Sequence, residues 1–145
     1  MKGGFEKAME YALRVLARKA CTKRELERKL LERRFAEETV VKVVLEMEEA
    51  GYVDDREYAR LFQETRDEWG YRRIRDELLR RGVKPRILDE VLLYDEEQEY
   101  RKALSLVRDW APGLGKGRVA GRLLRRGFDH RTVRRLVRKA CGEST

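Results

Sequence analysis

Apolar residues recur along this chain every three or four positions, the spacing that places side chains on one face of an α-helix. The first such stretch, over residues 5–18, has Ala8, Ala12, Leu13 and Leu16 on one side of the predicted helix. The strand-like alternation of Val, Thr and Tyr is missing, and no Asn-Gly or Asp-Gly turn joins two apolar runs. The pattern therefore predicts an all-α protein.

The helical pattern occurs three times. Leu-Leu pairs begin at Leu30, Leu78 and Leu123, which are 48 and 45 residues apart. The same offsets align two further sets of apolar positions, namely Val40 with Leu88 and Val133, and Val44 with Leu92 and Val137. Each copy has the length of three helices, so we predict three tandem three-helix repeats, at residues 1–52, 53–94 and 95–145. Because one such repeat buries little apolar surface alone, we expect the repeats to stack into an elongated, curved array.

Capping residues mark the ends of the predicted helices. Thr22 followed by Glu25, and Asp54 followed by Glu57, have the spacing of a capping box, in which two side chains bond free amides of the first helical turn. Asp129 has the position of an N-cap for the last helix. Helix breaks are expected at Gly51, Gly82, Pro112-Gly113 and Gly127.

The composition excludes most enzymatic chemistry. The 145 residues include one His and two Cys, too few for a His-based zinc site or a catalytic dyad. The adjacent Asp54 and Asp55 would form at most a weak metal site, and helix capping explains them better. Gly113, Gly115 and Gly117 lack the Gly-Lys-Ser/Thr ending of a phosphate-binding loop. We expect a protein that is not an enzyme and that has no cofactor.

The two cysteines and the absence of long apolar stretches indicate the compartment. Cys21 and Cys141 lie 120 positions apart. They could form a disulfide, but the spacing is not that of a secreted disulfide scaffold, so we expect both to be reduced. No stretch approaches the length of a membrane span, and the first residues lack the apolar core of a signal peptide. We therefore expect a soluble, cytoplasmic monomer with no membrane partner.

Basic residues are concentrated in the last third of the chain. Residues 101–145 carry 13 basic and 3 acidic residues, whereas residues 51–100 carry 10 and 14. On helical wheels the last two predicted helices each have an apolar face and a cationic face. The cationic residues are Arg118, Arg122, Arg125, Arg126, Arg131, Arg134, Arg135, Arg138 and Lys139.

These two faces have two interpretations. A solvated helix surface is the general explanation for charged faces. Here, however, like charges one turn apart repel each other, and nearby sequence offers almost no acidic residue to relieve the repulsion. We therefore predict a polyanion-binding surface, on which arginine favours bidentate contacts to phosphates or carboxylates.

Four groups of residues, in order along nearly the whole chain, match the motifs of one family. They are Ala12-Leu13 through Leu16-Ala17-Arg18 followed by Thr22-x-x-Glu25-Leu26, the run Gly51-Tyr52-Val53-Asp54-Asp55-Arg56-Glu57-Tyr58-Ala59, Gly70 with Arg73-Ile74 and Glu77-Leu78, and Arg125-Arg126-Gly127-Phe128. In these motifs the sequence resembles the RecX family, bacterial regulators of the RecA recombinase. Arg34 departs from the pattern, because the family usually has Gly there, as this chain has at Gly82 and Gly127.

The resemblance implies three tandem three-helix repeats and a non-enzymatic protein that binds the RecA–DNA nucleoprotein filament. It implies inhibition of RecA ATPase, strand exchange and filament growth, and a place in DNA recombination, DNA repair and the SOS response. The residues themselves leave an alternative open, a protein that binds DNA weakly and independently of sequence through helix-turn-helix-like units. Base reading has little support, since Asn is absent and Gln63 and Gln98 lie outside the basic region. The basic face fits either DNA phosphates or an acidic protein surface.

Overall fold

The computed structural model describes residues 2–110 and 113–140, and over these residues the chain forms nine α-helices and no β-strand. The predicted all-α class is confirmed. The helices are α1 (Lys2–Arg18), α2 (Lys23–Glu32), α3 (Glu37–Glu49), α4 (Asp55–Thr65), α5 (Tyr71–Arg80), α6 (Pro85–Val91), α7 (Glu96–Arg108), α8 (Lys116–Arg125) and α9 (His130–Ala140). Pro112, predicted as part of a helix break, and Cys141, predicted to be reduced, lie outside the described residues.

The chain groups into two compact units, each made of two segments. The first unit takes Met1–Leu61 and Leu78–Val91, and the second takes Phe62–Glu77 and Leu92–Thr145. The first unit therefore contains α1, α2, α3 and α6, and the second contains α7, α8 and α9. The predicted middle repeat, residues 53–94, contributes residues to both units.

The core of the first unit lies among α1, α2 and α3, which pack on one another. Its buried residues are Ala8, Ala12, Leu26, Leu30, Val40, Val43, Val44, Met47 and Val53. The small alanines of α1 let the backbones of its neighbours approach closely, and each buried leucine contributes about 2 kcal/mol. Leu13, expected on the apolar face of α1, is 39% exposed instead.

Thr22 joins two parts of the first unit. Its hydroxyl accepts the N–H of Glu25 at 3.1 Å, and the Glu25 carboxylate accepts the N–H of Thr22 at 3.0 Å, so the predicted capping box is confirmed. The same hydroxyl donates to the carbonyl oxygen of Arg81 at 2.6 Å. Because Thr22 is fully buried, its hydroxyl ties the start of α2 to the residue that follows α5.

The start of α4 is capped by Asp54, as predicted. One Asp54 carboxylate oxygen accepts the N–H groups of Arg56 and Glu57 at 3.0 and 3.2 Å. The Glu57 carboxylate pairs with the guanidinium of Arg60, its Oε2 lying 3.1 Å from the Arg60 Nε. The Asp54 half of the predicted second capping box is therefore present, and the Glu57 side chain is turned toward the next helical turn.

The core of the second unit lies among α7, α8 and α9. Ala103, Leu123, Phe128 and Leu136 are fully buried there, and Trp110 packs against this cluster. Phe128 directly follows the turn that ends α8, so its burial fixes the direction in which α9 leaves that turn. The pairing of α7 and α8 with α9 determines which side chains of α9 face solvent.

In each unit a carboxylate from one helix caps the N-terminus of another. Asp55 of α4 accepts the N–H of Lys23 at 3.0 Å in the first unit, and Glu99 of α7 accepts the N–H of Tyr71 at 2.6 Å in the second. Both carboxylates are buried. Burial raises the pKa of each carboxyl, and the hydrogen bond from the backbone N–H offsets part of that rise.

The residues that follow α2, α5 and α8 share a left-handed backbone. Arg34, Gly82 and Gly127 have φ values of 68°, 99° and 95°, and each stands four positions after the first leucine of a Leu-Leu pair. At Gly82 a β-carbon would also lie 2.4 Å from the β-carbon of Arg24. Only glycine therefore fits at position 82, for reasons of both φ and space.

Candidate basic interface

The apolar and cationic faces of α9 are arranged as the sequence predicts. Val133 and Leu136 are buried, whereas Arg134 and Arg138 are exposed. Helical geometry separates the two sets because residues three or four apart share a face. Because α7 and α8 cover the apolar side, the cationic side is directed to solvent.

The exposed face of α9 forms one wall of an open groove with a volume of about 810 Å³. Residues from the start of α5 and from the segment before α7 complete it. The groove is lined by Arg72, Tyr94, Asp129, His130, Arg131, Arg134, Arg135, Arg138 and Lys139. We call it the α9 groove. Its lining brings together the five predicted cations of α9, with Arg72 and His130 beside them.

Two of the α9 cations are paired with acidic residues of α7. Arg135 makes a bidentate contact with Glu97, at 2.7 and 3.3 Å, and its guanidinium lies 3.9 Å from the centre of the Tyr100 ring. Arg131 lies 3.7 Å from Glu96. The Arg135 hydrogen bond lowers the pKa of Glu97, and the same bond raises the pKa of Arg135. The expectation that acidic residues do not relieve this face was therefore wrong for these two arginines.

Arg134 and Arg138 have no acidic partner among the residues that the structure describes. They lie one helical turn apart, about 6 Å along the axis of α9. Arg72 of α5 likewise has no described carboxylate within salt-bridge distance, and it faces the same groove. The α9 groove therefore contains guanidinium groups whose charge is not neutralised within the described part of the chain.

The four predicted cations of α8 do not line the α9 groove. They are Arg118, Arg122, Arg125 and Arg126. Arg126 binds the carboxylate and the backbone carbonyl of Glu68, both at 3.4 Å. The guanidinium groups of Arg122 and Arg126 lie 5.3 and 5.8 Å from the centre of the Trp110 ring. Arg122 and Arg126 therefore lie beside Trp110, although Arg122 is exposed, as are Arg118 and Arg125.

Asp129 is the acidic residue of the groove lining, and it is fully engaged. Its Oδ1 accepts the N–H of Thr132 at 2.8 Å, which confirms the predicted N-cap of α9, and its Oδ2 accepts the Tyr94 hydroxyl. This hydrogen bond raises the pKa of Tyr94 to about 12. Burial acts to raise the pKa of Asp129, but the bonds from Tyr94 and Thr132 outweigh it, so the pKa of Asp129 is lowered. Asp129 is thus held as a carboxylate in a structural role.

Three lining residues, Arg72, Tyr94 and His130, are not among those that the sequence predicts at this site. Two backbone hydrogen bonds hold the start of α5 against the end of α8. The N–H of Gly70 donates to the carbonyl of Arg126 at 2.7 Å, and the N–H of Arg72 donates to the carbonyl of Gly127 at 3.2 Å. Arg72 therefore reaches the groove. These bonds join segments that are more than fifty residues apart. A helical wheel of α5 alone carries no signal for such a contact.

Other chemistry in the described residues is sparse. Within residues 2–110 and 113–140, no group of three or more His, Cys, Asp or Glu side chains is placed to hold a metal ion. Cys21 has a free, buried thiol, and burial raises its pKa, with the Glu25 carboxylate adding to the rise. None of the helices described here combines the length and the apolar character needed to span a bilayer.

Comparison with known sequences gives a consistent set of relatives. Residues 8–47 match the family model described as RecX, first three-helix domain. A regulatory protein RecX from Thermus thermophilus is 40% identical over 122 residues, which are 83% of this chain and 83% of the relative. Regulatory proteins RecX from Deinococcus radiodurans and Chlorobaculum tepidum are 33% and 28% identical, over 94% and 99% of this chain and 69% and 94% of the relatives.

Two crystal structures have the same fold. RecX from Lactobacillus salivarius superposes with a TM-score of 0.82 over 96% of this chain and 97% of its own, at 19% sequence identity. A second structure, of a regulatory protein RecX, gives a TM-score of 0.80 over 94% of this chain and 73% of its own, at 22% identity.

Proposed function

The chain belongs to the RecX family, and from that premise we propose that it is a cytoplasmic, non-enzymatic regulator of the RecA recombinase. It binds the RecA–DNA nucleoprotein filament and inhibits ATP hydrolysis, strand exchange and filament growth, and so acts in recombination, repair and the SOS response. The observation that carries this proposal is the match, over most of both chains, to relatives named regulatory proteins.

The α9 groove is the proposed attachment surface. Arg72, Arg134 and Arg138 present guanidinium groups that no described carboxylate neutralises. Their charge suits the phosphates of filament DNA or an acidic surface on the protein partner. Planar guanidinium groups suit bidentate contacts with either. Because single exposed ion pairs contribute little, attachment depends on several of these cations together and weakens as salt rises.

The test is a titration of this protein into RecA on single-stranded DNA, with ATP hydrolysis as the readout. We expect the hydrolysis rate to fall as the protein is added. A rate that stays constant up to stoichiometric excess, with a correctly folded protein, would contradict the regulatory proposal.

Matched charge reversals locate the attachment. The double variant Arg134→Glu with Arg138→Glu removes two unpaired cations of the α9 groove, and Arg118→Glu with Arg125→Glu makes the same charge change on α8. We expect the first pair to weaken inhibition at least about tenfold, since two lost contacts and two introduced repulsions act in the same direction. The α8 pair is expected to have a smaller effect. Equal inhibition by wild type and the α9 variant would exclude the α9 groove as the attachment surface.

A second candidate function is sequence-independent DNA binding without RecA, which the same unpaired arginines favour. In that case the logarithm of affinity for single-stranded DNA falls with the logarithm of salt concentration, by about 0.7 for each phosphate contacted. Salt-dependent binding to DNA in the absence of RecA, together with no effect on RecA ATP hydrolysis, would favour this second candidate.

A further inference from the structure

The first unit contains a second basic groove, although the net charge of residues 1–50 is small. It lies between α1 and α2 with a volume of about 450 Å³. It is lined by Tyr11, Arg14, Val15, Arg18, Lys19, Cys21, Lys29 and Arg33. Five of these eight residues are cationic and none is acidic, although residues 1–50 carry 12 basic and 10 acidic residues. We call it the α1–α2 groove.

The cations of this groove are not neutralised by the rest of the described chain. Within residues 2–110 and 113–140, none of the five has a carboxylate within salt-bridge distance. Lys23, which lies outside the groove, pairs with Glu48 at 3.2 Å, and the carboxylate of Glu25 accepts the N–H of Thr22. Like charges held together without a counter-charge repel, and a bound anion would relieve that repulsion.

The groove holds its cations in a regular, partly fixed arrangement. Arg14 and Arg18 are one turn apart on α1, about 6 Å along the helix axis. The Arg33 guanidinium stacks 4.4 Å from the centre of the Tyr11 ring, and that ring contacts Phe35 with the ring centres 6.5 Å apart. Stacking fixes the plane of the guanidinium while leaving its edge N–H groups directed outward for hydrogen bonding.

We propose that the α1–α2 groove binds the phosphodiester backbone of single-stranded nucleic acid. A phosphodiester chain has one charge per nucleotide at a regular interval, which suits Arg14 and Arg18 on consecutive helical turns. The planar, stacked Arg33 fits the two free oxygens of a phosphate. The apolar sides of Val15 and Tyr11 give sugars and bases a surface to pack on. This site shares no residue with the α9 groove and does not depend on the regulatory function proposed above.

The test measures the anisotropy of a short fluorescein-labelled oligothymidine against the concentration of the full chain, at several salt concentrations. The groove variant is Arg14→Glu with Arg18→Glu. The control variant, Lys42→Glu with Arg86→Glu, makes the same charge change at exposed residues of the first unit outside the groove. We expect the groove variant to lose at least about tenfold in affinity and its salt slope to fall by about 1.4, the value for two phosphate contacts. The control is expected to bind within about twofold of wild type, because it loses no contact.

Both sets of changes are repeated in the background Arg134→Glu with Arg138→Glu. The α1–α2 groove is expected to contribute the same factor there, because the two grooves have no residue in common. Circular dichroism verifies that each variant is helical. If the variant Arg14→Glu with Arg18→Glu does not fold, Arg14→Ala with Arg18→Ala is measured in its place. Equal affinities of the groove variant and the control, in both backgrounds, would overturn the proposal whatever the RecA assay gives.

Two further measurements identify the ligand class. Arg33→Lys keeps the charge but loses the planar group, and we expect it to bind measurably more weakly than wild type. Unlabelled oligothymidine is expected to displace the probe at a lower charge concentration than polyglutamate does. Equal displacement by polyglutamate would identify an acidic polypeptide as the ligand and overturn the assignment to nucleic acid.

Discussion

Gly127 lies so close to Arg73 that a β-carbon on the glycine would be 2.4 Å from the Arg73 β-carbon and 2.5 Å from its backbone nitrogen. A β-carbon on Gly82 would lie 2.4 Å from the Arg24 β-carbon and 2.6 Å from its δ-carbon. Arg34 stands at the equivalent position after α2, also with positive φ, but its side chain is exposed. Both the positive φ and the lack of space require glycine at positions 82 and 127, whereas at position 34 the positive φ alone favours it. This difference explains why Arg34 is accepted where the family pattern has Gly.

We predict that Gly127→Ala destabilises the protein by about 2–4 kcal/mol. The alanine would adopt a left-handed backbone and would also displace Arg73. Chemical denaturation followed by circular dichroism measures the change. Gly121→Ala in α8 is the matched control, because the atom nearest to its new β-carbon is the far end of Arg125 at 3.4 Å. We expect this control to be neutral or stabilising by up to about 1 kcal/mol.

Arg34→Gly is predicted to act in the opposite direction. Glycine adopts positive φ without the steric cost that arginine bears there, so we expect stabilisation by about 0.5–1 kcal/mol. The same denaturation measurement applies, with Arg34→Ala expected to stay close to wild type because it retains a β-carbon. A clear loss of stability in Arg34→Gly would mean that the arginine side chain makes a stabilising contact.

Thr22→Ala is expected to cost about 2–3 kcal/mol. The change removes the cap of α2 and leaves the Arg81 carbonyl without the buried hydroxyl that binds it. Thr22→Ser retains both bonds and is expected to lose less than about 1 kcal/mol. If the alanine and serine variants unfold at the same denaturant concentration, the two hydrogen bonds do not stabilise this junction.

Glu99 is predicted to make stability depend on pH. Burial raises the pKa of Glu99 above its ordinary value of 4.5, so the folded chain retains this proton to a higher pH than the unfolded chain does. Its contribution is fully present below pH 4.5 and is lost as pH rises through the raised pKa. The unfolding free energy of wild type minus that of Glu99→Gln is therefore expected to fall as the pH rises above 4.5. A difference that increases with pH over this range would show that the folded state favours the carboxylate.

The sequence also predicts an elongated, curved monomer, because three-helix repeats of this size must stack to bury their apolar faces. Small-angle scattering with light scattering measures both properties. A compact, spherical particle or a stable dimer would contradict this prediction.

The repeated helices were predictable because their signals are local. Aligning the Leu-Leu pairs also aligns the three positions that have a left-handed backbone in the structure. Thr22 and Asp129 cap their helices, as their spacing in the sequence indicates. The start of α1 was less accessible, since it begins at Lys2 whereas the periodic pattern begins at Phe5. Glycines at positions 3 and 4 have low helix propensity and carry no periodic signal.

The cationic residues of the basic interface were predictable from the sequence, but their ion pairs with α7 were not. Helical wheels place Arg134 and Arg138 on the exposed face, where the structure has them. They cannot indicate that α7 supplies Glu97 to Arg135, because that contact joins positions 38 residues apart. The α1–α2 groove was missed for the converse reason. Residues 1–50 carry almost as many acidic as basic residues, so their net charge is small. In the structure none of those acidic residues lines the groove.

The carboxylates that cap α2 and α5 restrict which groups of helices can be exchanged, removed or added in this chain. Asp55 is the first residue of α4, whereas Glu99 is the fourth residue of α7, so the two junctions use different positions and side chains of different length. Exchanging one helix trio for another would leave a buried carboxylate without its amide and a helix without its cap. The three helix trios that the sequence pattern predicts are therefore not expected to be interchangeable. Removing or adding a helix trio at either place would require a new partner for Asp55 or Glu99 and a new cap for α2 or α5.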